Sequence, residues 1–268
     1  MNKTYQILVT LLFVIYACSD DNETFIDNQV DTIATDSLNT SIKSEIIVDF
    51  NQPDGTYWQS KFIKDFGNIN QYSFDEKTRH KIVNSSLVVK LLRDKVGQEG
   101  GVISDVFIET GTEYSLEYKV KFQLGFQWAK GGKLPGVGGG KVYAGGDSAV
   151  AGDGWSFRPV WQFYDGVNNS KPFISPYAYY VDQPKTFGDE LSKRFTIQED
   201  TWYTIFIQVK MNTNNNNDGL LKMSINGSTF YYNNSFRWVT KDSGREIDEI
   251  MWDIFRGGEG SEYIATED

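Results

Sequence analysis

The residues of this chain whose type and setting could do chemistry begin with Lys133. It lies in Phe126–Gly140, FQWAKGGKLPGVGGG, a run so rich in glycine that it reads as neither an ordinary strand nor an ordinary helix. Glycine is costly inside regular elements and is kept where the backbone turns sharply or approaches something closely. A positive charge delivered to one fixed place by such a segment points to an anionic ligand. Ser156 and Arg158 are two residues apart, as are Tyr177 and Tyr179. On strands each pair projects from one face, so the two pairs could meet across one concave sheet. An arginine fork can pair both oxygens of a carboxylate, and a tyrosine near cations can have its pKa lowered enough to carry a proton. Lys130 and Lys141 could join Lys133 and Arg158 in a basic cluster. Each residue also has a plainer reading: Lys133 as a solvated loop lysine, Arg158 paired with Asp153 at the surface, the tyrosines as packing groups.

The elements that must position these residues read as short strands: Glu45–Phe50, Ser86–Leu92, Val102–Ile108, Tyr114–Trp128, Trp202–Asn212, Leu220–Ile225, Ser228–Tyr232 and Glu249–Phe255. In Thr112–Phe122, Tyr114, Leu116, Tyr118, Val120 and Phe122 alternate with polar residues, the period-two pattern of a half-buried strand. Tyr203, Ile205, Ile207, Val209 and Met211 repeat it. Asn226-Gly227 is a strong hairpin signal, because a type I′ turn needs two positive φ angles. Long helical periodicity and internal repeats are absent. Many short strands with regular turns argue for an all-β, single-domain β-sandwich or jelly roll with a concave cleft.

The GGKLPG hexapeptide, preceded by a Phe-x-Trp pair and followed by further glycines, resembles the signature of polysaccharide lyase family 14, the alginate and polyuronate lyases, and of the related family 20 glucuronan lyases. The likeness continues, in the family's order, through Trp155–Trp161, Tyr177-Ala178-Tyr179 and Phe255-Arg256-Gly257-Gly258, and spans roughly residues 45–265. It implies a jelly-roll lyase that cuts an anionic polyuronate by β-elimination. That reaction neutralises the C6 carboxylate, removes the C5 proton and protonates the departing glycosidic oxygen. By resemblance the catalytic residues are Lys133, Arg158, Tyr177 and Tyr179, with Lys133 and Arg158 neutralising carboxylates and a tyrosine as base and acid. Ser156 and Lys130 are the expected substrate-binding residues. Two departures stand out: a longer insertion, Phe163–Pro176, before Tyr177, and Val137-Gly138 where the family often has an aromatic.

Residues 1–17 read as a lipoprotein signal peptide, with Lys3 as its positive region, Ile7–Tyr16 as an apolar stretch too short to span a bilayer, and Ala17 before Cys18. Cys18, the only cysteine, is the expected lipidation site and excludes disulfides within the chain. Residues 18–44 read as an acidic, polar tether and 45–268 as the lyase-like domain, giving an outer-membrane lipoprotein exposed at the cell surface. With 26 basic against 36 acidic residues the net charge is −10, which argues against nucleic acid as a partner. The expected partners are an anionic polysaccharide and, through the lipid anchor alone, a membrane, and a monomer is expected. No cofactor is expected, since no metal-ligand spacing is present; a structural calcium stays open. His80, the only histidine, reads as a partly exposed residue of a charged segment. The competing classes are a non-catalytic glycan-binding lipoprotein and a glycoside hydrolase, for which Asp147, Asp153 and Glu190 are the carboxylate candidates.

Overall fold

A computed structural model describes residues 7–16, 45–72, 79–164, 170–258 and 260–266 of the chain. Its strands are β1 (Ile7–Tyr16), β2 (Gly55–Thr56), β3 (Ile69–Tyr72), β4 (His80–Val83), β5 (Ser86–Lys90), β6 (Val102–Gly111), β7 (Glu113–Phe122), β8 (Gly131–Lys133) and β9 (Gly136–Gly140). They continue with β10 (Gly154–Gln162), β11 (Phe173–Tyr179), β12 (Asp189–Glu190), β13 (Phe195–Thr196), β14 (Trp202–Lys210), β15 (Gly219–Ile225), β16 (Ser228–Phe236) and β17 (Ile247–Arg256). One sheet runs β16-β15-β14-β7-β1-β5-β4-β2, and the other β12-β11-β10-β8-β17-β6-β3, with β9 also between β10 and β17 and β13 beside β11. In the first, the apolar stretch Ile7–Tyr16 pairs in parallel with both β5 and β7.

The two sheets pack face to face over one core. From the first come Leu116, Tyr118 and Val120 of β7 and Ile205, Ile207 and Val209 of β14. From the second come Trp155, Phe157 and Trp161 of β10 and Ile250, Trp252 and Ile254 of β17. The alternation read in β7 and β14 is the burial pattern observed. Asn226 and Gly227, at φ 51° and 78°, close the β15–β16 hairpin as their types require.

Three elements differ from the sequence expectation. Glu45–Phe50 belongs to no strand; Ile46, Val48 and Phe50 are buried on alternate positions, which imitates a strand's pattern in the sequence. Gln59–Phe66 forms the helix α1, whose Phe62 and Phe66 stack on each other at 4.5 Å and meet Trp252 beneath. Eight residues are too few to show helical periodicity. The glycine-rich run is a strand after all, interrupted at Leu134-Pro135: β8 and β9 fill the space between β10 and β17. A Cβ on Gly132 would lie 2.1 Å from the Trp161 ring, on Gly136 2.0 Å from the Phe157 carbonyl oxygen, and on Gly139 1.8 Å from that of Glu246. Close approach is therefore what these glycines serve. Among the described residues no helix is long and apolar enough to cross a membrane.

Candidate active site

The outward face of the second sheet carries the site. On β10, Trp155, Phe157 and Trp161 point to the core, so Ser156, Arg158 and Val160 take the opposite face. Register then sets the rest: Arg158 stands opposite Tyr177 and Ser156 opposite Tyr179 across β11, while Lys133 lies between Val160 and Phe255. The insertion before Tyr177 therefore leaves the two pairs in line. From β17 come Glu249, Met251 and Asp253, and from β6 comes Asp105. These groups line a cleft of about 720 Å³. Past Lys133 and Tyr177 it continues into a second hollow of about 290 Å³, walled by Gly257, Gly258 and Tyr263.

Arg158 Nη1 donates to Asp253 Oδ2 at 2.6 Å, and both side chains are almost fully buried. Arg158 Nε and Asp253 Oδ1 are buried without a hydrogen-bond partner among the described residues, so neither group is fully used by the other. Lys133 Nζ sits 4.1 Å from the centre of the Tyr177 ring. Burial, and then the charge of Arg158, push the Lys133 amine down to about pKa 7, while Asp253 pulls it up. The Tyr177 phenol is pushed well above its usual range by burial first and by Tyr179 second; Arg158 pulls the other way and is outweighed. Arg158 lowers this tyrosine as the sequence reading expected of a nearby cation, but desolvation is the larger effect and the net shift is upward. The two tyrosine rings meet edge-on at 5.7 Å, and Gly146 N–H donates to the Tyr179 hydroxyl at 3.3 Å. Beside the cations lies an acidic wall. Burial and neighbouring carboxylates raise Glu249 to about 9 and Asp105 to about 6, so the wall holds protons where free carboxyls would not.

Lys133, Arg158, Tyr177 and Tyr179 are therefore brought together. Ser156 and Lys130 are not: Ser156 Oγ is buried and donates to the Tyr143 carbonyl at 2.6 Å, and Lys130 bridges Glu262 at 2.8 Å outside the cleft. Lys141 lies over the Tyr143 ring. The partner of Arg158 is Asp253 rather than Asp153, which instead accepts from the Tyr143 hydroxyl. None of Asp147, Asp153 and Glu190 lines the cleft. His80 is fully buried in β4 of the other sheet, not partly exposed as expected, and is not a lining residue. The sequence reading missed Asp105, Glu249 and Asp253. Their signal was available: in the strand Glu249–Phe255, Glu249 and Asp253 share one face while Ile250, Trp252 and Ile254 share the other. Among the described residues no group of three or more His, Cys, Asp or Glu side chains is arranged to hold a metal.

Fold and site together define a class: an all-β sandwich whose outer sheet face presents a tyrosine-lined cleft in which Lys133 and Arg158 stand beside Asp105, Glu249 and Asp253. The family model for polysaccharide lyase 14 matches residues 97–268, and the chain belongs to that family; it is a polysaccharide lyase. Among solved structures, the alginate lyase Aly36B is 33% identical with a TM-score of 0.79, covering 84% of this chain and 92% of that one. A variant of it with one lysine and one tyrosine replaced by alanine, in complex with alginate tetrasaccharide, is 32% identical with the same TM-score and coverage. The marine PL-14 alginate lyase from Aplysia kurodai shares the fold at 22% identity and a TM-score of 0.56, over 78% of this chain and 89% of its own. Among curated proteins, none matches the chain.

Proposed function

We propose that this lyase cleaves alginate, or a polyuronate of closely similar shape, by β-elimination on a jelly-roll scaffold and without a cofactor. The observation that carries the reading is the convergence of Lys133, Arg158, Tyr177 and Tyr179 in one cleft of a family 14 chain. Arg158, which lines the cleft, neutralises the C6 carboxylate and so acidifies the C5 proton. The Lys133 amine, brought to about pKa 7, is the better base and accepts that proton. Electrons move into the C4–C5 bond, the C4–O bond breaks, and the Tyr177 or Tyr179 hydroxyl protonates the departing oxygen. A phenol held neutral suits the acid role better than the base role. Proton return from the Lys133 ammonium to the adjacent phenolate restores both groups. The Aly36B variant, with a lysine and a tyrosine removed, is in complex with a tetrasaccharide, as expected if such residues act in chemistry more than in holding substrate.

The test is to incubate the purified chain with alginate blocks and with glucuronan and follow the ultraviolet absorbance of the unsaturated uronate end. Absorbance should rise with the parent. It should fall on the order of 100-fold or more with Lys133→Ala and with Tyr177→Phe. New reducing ends without that absorbance would make the enzyme a hydrolase and overturn the reading.

We also propose anchoring at the outer cell surface through lipidated Cys18, which lies outside the described residues. A cleaved leader cannot also serve as β1, so intact mass decides: the anchored form requires a mature chain starting at an acylated Cys18, and Cys18→Ser should leave the detergent phase.

A further inference from the structure

Where the two hollows meet stands a residue that the chemistry above does not use. Phe187 lines both, and it is 47% exposed. Of the exposed large hydrophobic side chains among the described residues, Ile47, Leu124, Val150, Phe187, Tyr232 and Ile264, it alone faces the cleft. Its place where the two hollows meet leaves the exposed ring accessible to a ligand lying along the cleft.

The ring is also held. Gln183, 5% exposed, donates through Nε2 to the carbonyls of Lys185 at 2.7 Å, Thr186 at 3.1 Å and Phe187 at 3.1 Å. Its Oε1 accepts from Tyr180 N–H and Ala149 N–H, both at 3.2 Å. One buried amide thus ties the 183–187 turn to the 145–151 loop. Against that loop the Phe187 ring packs on Gly146, where a Cβ would come within 2.9 Å of the ring, and Gly146 is the residue that donates to Tyr179. A side chain exposed but preset costs little conformational entropy on binding.

We propose that Phe187 is a stacking platform for one pyranose ring of the substrate, and that Gln183 is the positioning residue that sets it. An aromatic face is negative, so it takes the C–H face of a sugar and turns a carboxylate away, toward Arg158. This rests on the reading that the cleft takes a polyuronate.

The experiment titrates alginate tetrasaccharide calorimetrically into the full chain carrying Lys133→Ala, which removes turnover, and into the same chain with Phe187→Ala or Phe187→Trp. Ala should weaken Kd about five- to tenfold and Trp should restore it. In the active chain, Gln183→Glu, which loses the Nε2 donor, should raise KM by a similar factor with a much smaller change in kcat. Equal binding by Phe187→Ala, or no recovery with Trp, overturns the platform; a fall in kcat at constant KM for Gln183→Glu overturns the positioning role. If the Lys133→Ala chain binds the tetrasaccharide in a Phe187-dependent way while the parent releases no unsaturated product, the lyase mechanism fails and the platform stands. If the parent binds no polyuronate, both fall.

Discussion

At Lys133 two influences act in one direction, burial and the charge of Arg158, and one opposes them, the charge of Asp253. Asp253 therefore has two jobs: it neutralises a buried guanidinium at 2.6 Å, and it keeps the Lys133 amine from losing its proton at still lower pH. Asp253→Asn separates them. Arg158 would be left as a buried cation without its counter-charge, a change that costs about 3–5 kcal/mol of stability, measurable by urea unfolding. The Lys133 pKa should fall below its present value of about 7, and the acid limb of the kcat/KM profile should move to lower pH with it. A profile whose acid limb stays in place, in a variant that still folds, would show that Lys133 is not the titrating base. Lys133→Arg keeps the charge but cannot give up a proton near neutrality, so it should be as inactive as Lys133→Ala.

Among the elements, the interrupted strand made of β8 and β9 decides where the cations sit, because β10 and β17 can flank it only where its glycines leave room. Gly136 shows this most directly: a Cβ there would lie 2.0 Å from the Phe157 carbonyl oxygen and 2.7 Å from Arg158 Cγ. Gly136→Ala should push β10 away, move Arg158, and reduce kcat/KM more than tenfold, since small displacements of a positioned group are costly. Gly125, at φ 81° with nothing within 4 Å of its would-be Cβ, supplies the control. Its alanine variant should lose only about 1 kcal/mol of stability, from the positive φ, and keep its kinetics. This is also where legibility in the sequence ended. β7 and β14 were readable because one face is wet and their apolar residues alternate. β10 and most of β11 are buried on both faces, which erases alternation. Their Ser-x-Arg and Tyr-x-Tyr spacing put each pair on one face, but the choice of Lys133, Arg158, Tyr177 and Tyr179 came from the family resemblance of the surrounding segments, and Ser156 is turned to the Tyr143 carbonyl by a loop contact that neither encodes.

On the scale of the whole molecule, a net charge of −10 coexists with a cleft that must accept a polyanion. Glu249 eases the conflict: raised from 4.5 to about 9, it keeps its proton at neutral pH, whereas Asp105, raised from 3.8 to about 6, is largely ionised there. A protonated Glu249 adds no negative charge to the cleft and can donate a hydrogen bond to a sugar oxygen. The same feature sets how stability depends on pH. A carboxyl whose pKa is raised by folding binds its proton more tightly in the folded state than in the unfolded one, so its contribution is fully present below the unfolded pKa and is lost as pH rises through the folded pKa. For Glu249 that window runs from about 4.5 to about 9. Lys133 opposes part of it, because its lowered pKa makes the folded state poorer in protons from about 7 upward to 10.5. Replacing Glu249 by glutamine removes the larger of the two carboxyl shifts while keeping the shape of the side chain. Thermal unfolding of parent and Glu249→Gln should therefore give Tm values that lie close at the acid end of the window and diverge toward pH 9, with the variant the more stable there. Parallel curves across the window would mean that Glu249 is ionised in the folded protein, and that the cleft carries a negative charge that Arg158 and Lys133 must overcome to hold the substrate.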